Sequence, residues 1–303
     1  MARVTVCIAV ACRNGEFGVT CTDGALSADG QTFDLALTKM IWFDDWQIMY
    51  AGEQSNADLI LENIRQMLQR RRSDALTREK IQGTFRRAYK ARFAQWTADF
   101  VLAPYNMEME EFKRSGRRIF TDDIRTRLAK EMSNQAPEFN EELMVVGWGH
   151  TPPSIMIFGM NQSGSWSGSL SGIGTIGAGA EVARSTLLMH GITRGSPLEE
   201  ALYAVAAAKF SAERCDGVGR NTTIHVSRKR NESDPKNRRV GQFLTPQEVR
   251  GLRRVWLRYG RMRVPTEAYP RVMAIAQRVS GSVGAESILP LMRSISRRLK
   301  GQQ

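Results

Sequence analysis

Hydrophobic and polar residues alternate in short runs over the first fifty residues. Thr5–Cys12 and Glu16–Asp23 each have this strand pattern, and the turn sequence Arg13-Asn14-Gly15 separates them. Lys39–Phe43 and Gln47–Ala51 form a second pair of the same kind. The pattern therefore predicts two β-hairpins at the start of the chain.

Helical periodicity follows directly after Gly52. Apolar residues recur every three or four positions in a first helix, at Ala57, Ile60, Leu61, Ile64 and Leu68. A second helix is predicted from Leu76 to Leu102, with Ile81, Phe85, Tyr89, Phe93 and Trp96 on its apolar face. The following residues 104–141 are mostly polar. We interpret them as an insertion with a short helix near Thr121–Met132.

The second half of the chain repeats the order of strands and then helices. Strands are predicted at Leu143–Trp148, Ser154–Gly159, Ser165–Leu170 and Thr222–Ser227. The glycine-rich stretch GIGTIGAGAE is predicted to turn into a helix at Glu181–His190. Ser196-Pro197 starts another helix, with Ser196 as its N-cap. This order predicts an α+β fold, in which two face-to-face sheets are each covered by a helix pair, over residues 1–228.

Charge divides the chain near residue 228. The segment from Arg228 to Lys300 holds 18 Lys or Arg and five acidic residues, a net charge of +13, whereas the whole chain carries +12. We therefore expect a basic, mostly helical extension over residues 229–303, with helices after Thr245, over Tyr269–Val279 and over Ile288–Leu299. Two interpretations stay open: docking onto a neighbouring subunit, and binding of nucleic acid or an acidic partner.

Several classes of protein are excluded by what the sequence lacks. No apolar run reaches the roughly 18–20 residues of a membrane span, and the N-terminus does not have the pattern of a signal peptide. The four cysteines show no CxxC spacing, and three histidines are too few for a histidine-rich metal site. We expect a cytoplasmic protein without a cofactor or metal.

Four residues in order carry a family resemblance. Thr5-Val6-Cys7-Ile8-Ala9 opens the first strand, Asp23 follows its hairpin partner, Lys39 starts the next strand and Gly52 precedes the first helix. In this the chain resembles proteasome β-subunits, and most of all their ancestral bacterial β-type homologues. The resemblance implies a four-layer αββα N-terminal-nucleophile (Ntn) hydrolase sandwich and a threonine-type peptidase or amidohydrolase. It also implies a peptide substrate and a homo-oligomer, either a ring or a helical stack.

The resemblance assigns a role to each of these residues. Thr5 would be the nucleophile once it is the terminal residue, because its own α-amine, with a pKa of about 7.7–8.0, can accept the hydroxyl proton. Lys39, held by Asp23, would favour the neutral amine. The Gly52 N–H would face the oxyanion. Ser27 would pair with the substrate backbone, and Tyr50 would line the first specificity pocket.

Departures from the family pattern favour a second hypothesis. Thr5 follows Met1–Val4, so its nitrogen is free only after the Val4–Thr5 bond is cleaved. Ala25 replaces a common arginine, Ala178 replaces a serine, and Cys215-Asp216 and Val218 alter a late acid and serine cluster. The alternative is a catalytically inactive subunit with the same fold, which acts as a scaffold or binding protein.

Overall fold

The computed structural model describes residues 5–28, 31–34, 39–43, 46–69, 78–135, 139–148, 155–229, 241–259 and 266–280. The strands are β1 Val6–Cys12, β2 Phe17–Asp23, β3 Ala25–Ala28, β4 Gln31–Asp34, β5 Met40–Phe43, β6 Trp46–Ala51, β7 Glu142–Trp148, β8 Ile155–Asn161, β9 Gly164–Ser167, β10 Ile173–Gly177, β11 Thr222–Arg228 and β12 Gly241–Phe243. The helices are α1 Gln54–Gln69, α2 Arg78–Val101, α3 Met109–Ile119, α4 Asp122–Gln135, α5 Ala180–Met189, α6 Leu198–Ala212, α7 Pro246–Tyr259 and α8 Tyr269–Ser280.

Two antiparallel five-stranded sheets form the centre of this α+β fold. The first has the strand order β10-β1-β2-β11-β12, and the second has the order β5-β6-β7-β8-β9. Strands β3 and β4 form a separate hairpin. Strand β1 is an inner strand of the first sheet, where Cys7 lies opposite Thr22 on β2 and Ile176 on β10.

Alternation along β1 explains how the sheets are buried. Val6, Ile8, Val10 and Cys12 belong to a core cluster shared with α5 and α6, whereas Cys7, Ala9 and Ala11 belong to a cluster shared with strands of the second sheet. The opposite face of the second sheet packs against α1 and α2 in another cluster. Because successive side chains of a strand point to opposite faces, each sheet is covered on both faces.

Helices α7 and α8 of the basic segment pack against α6. Val249, Leu252 and Val255 of α7 and Val272 and Ile275 of α8 lie in the same core cluster as α6. The predicted start of α7 is a capping box, in which Thr245 Oγ1 accepts from Glu248 N at 3.3 Å and Glu248 Oε2 accepts from Thr245 N at 2.7 Å. The third predicted helix, Ile288–Leu299, lies outside the described residues.

Three local predictions need correction. The glycine-rich stretch is not only a turn, because its residues 173–177 form strand β10, which pairs with β1. The N-cap of α6 is Pro197, and the Ser196 hydroxyl instead accepts a hydrogen bond from Thr193 N. Helix α3 was missed within the polar insertion, where Phe112, Phe120 and Leu128 contribute to a small core with the end of α2.

Within the described residues, no helix combines the length and the apolar character that crossing a lipid bilayer requires.

Candidate active site

Three of the predicted site residues lie at the ends of strands, two of them in the first sheet and one in the second. Thr5 directly precedes β1, Asp23 is the last residue of β2 and Lys39 directly precedes β5. Lys39 is 2% exposed, and both Thr5 and Asp23 are fully buried. The Lys39 Nζ donates a hydrogen bond to Thr5 Oγ1, and the Thr5 side chain lies close enough to Asp23 to favour its ionised form. A hydroxyl, an ammonium and a carboxyl group thus meet in a buried site.

Burial shifts the pKa of both charged partners toward their neutral forms. It raises the pKa of the Asp23 carboxyl to about 6, although Lys39 and the Gly219 N–H, which donates to Asp23 Oδ2 at 2.8 Å, favour the carboxylate. Burial also lowers the pKa of the Lys39 ammonium, although Asp23, Cys7 and Glu141 oppose the change. Shifts of this kind in a cluster with a hydroxyl are typical of reactive sites.

The Thr5 backbone is strained and held on both sides. Its φ is 105°, a value that β-branched residues rarely adopt. Its nitrogen, a peptide nitrogen after Val4, donates to Gly217 O at 3.0 Å, and its carbonyl accepts from Gly179 N at 3.3 Å. These bonds fix the residue from which the hydroxyl projects.

Gly52 packs against a buried carboxyl group that the sequence analysis did not single out. Its φ is 130°, and a Cβ at this position would overlap the Glu141 carboxyl group. Glu141 Oε1 accepts hydrogen bonds at 3.1 Å from Glu53 N and from Asn56 Nδ2. Burial raises the pKa of Glu141 to about 7. Glu141 therefore fixes the backbone beside Gly52, whose role as oxyanion donor stays a prediction.

Gly52→Ala is expected to lower the free energy of unfolding by about 3 kcal/mol, because it combines backbone strain with overpacking against Glu141. Gly164 is the matched control, since its φ is 133° and nothing lies within 4 Å of the position its Cβ would take. Gly164→Ala is expected to cost only the strain, about 1–2 kcal/mol. Urea denaturation of both variants measures the difference, and equal losses would contradict the role given to Glu141.

The two predicted substrate-binding residues lie on different elements. Ser27 lies on β3, where it pairs with Thr32, and its side chain is outside the described part of the structure. Tyr50 lies on β6, and its ring packs in the cluster with α1 and α2. The Lys39 Nζ is 5.9 Å from the centroid of that ring, and Tyr50 O accepts a hydrogen bond from Cys7 Sγ. Both substrate roles remain predictions.

Residues 215–219 contribute a backbone N–H group, that of Gly219, to the candidate site. Proteasome β-subunits, which the sequence resembles, have an acid and a serine side chain in this segment. Asp216 is exposed and Cys215 packs against the first core cluster, whereas Gly219 N binds Asp23. Gly219 is in turn held by Lys209, which was also missed in the sequence analysis. Lys209 is the single charged residue between Glu200 and Glu213, in the alanine-rich helix α6, and this isolation was the available signal.

Cys7 is a packed core thiol, as the sequence predicts. It is fully buried, and burial raises the pKa of its thiol well above the usual value. A thiol of this kind is a poor nucleophile. In the described segments, His, Cys, Asp and Glu side chains form no group of three or more that could hold a metal ion.

A cavity of roughly 480 Å³ opens beside the site, between β9, β10 and the start of α5. Gly177 and Ala178 line it, and Gly177 also lies against the Thr5 carbonyl. Among the described lining residues, none is a predicted site residue. The cavity is therefore a neighbour of the Thr5 cluster and not its continuation.

Three solved structures have a fold similar to that of this chain over most of their length. They are Anbu (ancestral beta-subunit) from Yersinia bercovieri, with a TM-score of 0.56 and 12% identity, the helical assembly of the Anbu complex from Pseudomonas aeruginosa, with 0.56 and 15%, and an Anbu Gly-1 mutant from Hyphomicrobium sp. strain MC1, with 0.53 and 13%. Each match covers 83% of this chain and 92–93% of the other chain. The chain has an Anbu-like fold.

The family assignment made from the sequence is corrected by these comparisons. No protein-family model matches the chain, and no curated protein matches it. These three structures belong to Anbu, a distinct family related to the proteasome, so assignment to the proteasome β-subunit-like family is wrong. At 12–15% identity the likeness to Anbu establishes the fold alone.

Proposed function

We propose that this protein is a threonine-type peptidase or amidohydrolase in which Thr5 becomes the N-terminal nucleophile after cleavage of the Val4–Thr5 bond. The observation that carries the proposal is the hydrogen bond between the buried Thr5 hydroxyl and Lys39, beside the buried Asp23 carboxyl group. A threonine hydroxyl needs a base to act as a nucleophile, and a buried cation beside it stabilises the negative charge that develops.

The Thr5 backbone supports the same proposal. While Val4 is attached, the φ of 105° constrains a β-branched residue in a region that costs about 1–3 kcal/mol. Cleavage of the Val4–Thr5 bond removes this constraint, because a terminal amine has no preceding carbonyl. The freed amine would keep Gly217 O as its hydrogen-bond acceptor, which holds it beside its own hydroxyl group.

The architecture and the assembly belong to the same proposal. We infer a four-layer αββα sandwich, since one core cluster joins the two sheets and two others join each sheet to its own helices. We further propose a homo-oligomer, because one similar structure is described as a helical assembly. A cytoplasmic location stays a prediction from the sequence.

A catalytically inactive scaffold is the second candidate function. The observation that favours it is the Thr5 nitrogen, which is a peptide nitrogen bound to Gly217 O while Val4 is attached. Ala178, which stands where the family pattern has a serine, also supplies no hydroxyl to the turn before α5.

Binding of nucleic acid or an acidic partner through residues 229–303 stays a prediction. Arg253 and Arg278 form ion pairs with Glu213 and Glu248, whereas Arg250 and Arg254 are exposed on α7. Loss of binding to a DNA duplex or an RNA at moderate salt in a folded Arg250→Gln/Arg254→Gln variant would support the prediction, and unchanged binding on removal of 229–303 would contradict it.

Exposure of Thr5 by design tests the proposed function. A removable N-terminal fusion can leave Thr5 as the first residue, and a second preparation keeps Met1–Val4 attached. We expect only the first to hydrolyse a panel of fluorogenic peptide amides, and only its Thr5 to gain the mass of a peptide vinyl sulfone. A Thr5-first chain that neither hydrolyses the peptides nor reacts with the probe would overturn the proposal in favour of the scaffold.

The pH profile of kcat/KM is expected to have two acidic steps. The α-amine must be neutral, so activity falls about tenfold per pH unit below its pKa. Asp23, whose pKa is raised to about 6, must be ionised to hold the Lys39 ammonium. Below about pH 6 the fall therefore steepens to about a hundredfold per unit. A slope of tenfold per unit down to pH 5, with the fold intact by circular dichroism, would contradict this role of Asp23.

A further inference from the structure

Helix α7 contacts the loop that leads to the candidate site. This loop joins α6 to β11, and we define it as residues 213–222, which include Thr222, the first residue of β11. Arg253 of α7 forms a bidentate ion pair with Glu213 at one end of the loop. Its Nη1 donates to Glu213 Oε2, and its Nη2 donates to Glu213 Oε1 at 2.7 Å. The same Nη2 donates to Arg220 O at 2.8 Å and to Thr222 Oγ1 at 3.3 Å. One guanidinium therefore ties together both ends of the 213–222 loop.

Lys209 connects the Arg253–Glu213 ion pair to Asp23 through Gly219. Its ammonium is fully buried, forms an ion pair with Glu213 and donates to Gly219 O at 2.7 Å. The N–H of the same Gly219 donates to Asp23 Oδ2 at 2.8 Å. Gly219 is thus held on one side by a lysine, and on its other side it holds the carboxyl group of Asp23, whose charge interacts with that of Lys39.

The charges along this path are complementary. Positive Arg253 and Lys209 flank negative Glu213, and Lys209 also attracts the Asp23 carboxylate, which lowers the pKa of Asp23 against the effect of burial. The other titratable groups that face Asp23 are Lys39 before β5, Cys7 on β1 and Cys21 on β2. Loss of Lys209 from its place would therefore favour protonated Asp23.

Stability alone is a poor explanation for this arrangement. Desolvation of buried charges often offsets their attraction, so a buried ion group can be replaced by apolar residues with little loss of stability. Arg253 also stacks on Phe210 at 4.4 Å, which fixes the plane of its guanidinium. The contacts of Arg253, Glu213 and Lys209 converge on the 213–222 loop and, through Gly219, on the Asp23 carboxyl group.

We propose that Arg253, Glu213 and Lys209 are positioning residues, through which helix α7 fixes Gly219 and thereby the ionised Asp23 of the candidate site. The inference that they act on catalysis rests on the proposed function of Thr5. The inference that they fix Gly219 and Asp23 does not depend on it. Helix α7 is, on this account, part of the catalytic apparatus of its own chain.

The test compares Arg253→Met with Arg254→Met, in the full chain. Arg254 is the matched control, since it is exposed on the same helix and its side chain forms no hydrogen bond, ion pair or ring contact with the described residues. Amide hydrogen exchange reports on Gly219, and ¹³C NMR of labelled aspartate carboxyls reports on the titration of Asp23. The acidic part of the kcat/KM profile is measured on the Thr5-first chain.

We expect Arg253→Met to speed exchange of the Gly219 amide at least about tenfold and to raise the titration midpoint of Asp23 by about half to one pH unit. The steeper acidic step should move by the same amount. Arg253→Lys should give values between those of Arg253→Met and the parent, because lysine keeps the charge but cannot form the bidentate ion pair. Arg254→Met should leave all three at the parent values.

Each outcome decides a separate statement. Unchanged exchange and an unchanged Asp23 midpoint in a folded Arg253→Met variant would overturn the positioning role. Faster exchange with an unchanged midpoint would reduce the network to a structural role and overturn the proposal as stated. If the Thr5-first parent shows no hydrolysis, the proposed function fails, while exchange and NMR titration still decide whether α7 positions Asp23.

Discussion

Replacing Thr5 with alanine is expected to lower kcat/KM for fluorogenic peptide amides at least about 10³-fold, because it removes the nucleophile of the proposed reaction. The variant is prepared with the removable N-terminal fusion, so that residue 5 is terminal whether or not the chain can cleave itself. Lys39 loses its hydroxyl acceptor but keeps the nearby charge of Asp23, so the fold should survive the change.

Two controls separate loss of the nucleophile from damage to the strand. Thr22 is a buried threonine on the neighbouring strand β2, and its hydroxyl has no hydrogen-bond partner within the described part of the chain. Thr22→Ala should keep activity within about threefold of the parent. Thr5→Ser should retain measurable activity, since it keeps a hydroxyl group. Full activity of Thr5→Ala would remove Thr5 from the mechanism.

Lys39→Met is expected to have the largest effect on stability, a loss of about 3–5 kcal/mol at neutral pH, because it leaves Asp23 buried without its principal cation. The loss should depend on pH. The pKa of Asp23 is already raised to about 6 in the folded chain, and removal of Lys39 raises it further. The folded state then retains a proton that the unfolded state releases above about pH 4, so stability falls as pH rises from there.

Asp23→Asn combined with Lys39→Met provides the control for this interpretation. If the penalty comes from an unpaired carboxylate, the double variant should recover most of the lost free energy and most of its pH dependence. Urea denaturation of the two single variants and the double variant at pH 5 and pH 8 measures both. Additive losses that do not change with pH would contradict the proposed coupling.

Most of the order of strands and helices could be predicted from the sequence, because in these elements the periodicity of apolar residues matches the faces that are buried. Cys7 and Ile8 alternate between two apolar surroundings in β1, so the strand was visible although both its faces are buried. Strand β10 was hidden because its glycines are typical of a turn. Gly174 packs against Ile157 and Met144, where a Cβ would collide, so the glycine serves close packing between the sheets.

The candidate site was predictable only in part. Thr5, Asp23 and Lys39 were predicted from their order along the chain, which resembles that of a known family, and the structure places them close together. Glu141 and Arg253 were missed, since their partners are 88 and 40 residues away and no local pattern records such contacts. The charge of the segment after residue 228 suggested external partners, whereas its Arg253 binds Glu213 of the same chain.

The state of the Val4–Thr5 bond tests the central claim most directly. Intact-mass spectrometry with N-terminal sequencing of the purified chain, expressed without a fusion, measures it. We predict that the form that hydrolyses peptides begins at Thr5 and lacks Met1–Val4. A peptide-hydrolysing form in which Val4 is still bonded to Thr5 would contradict the account.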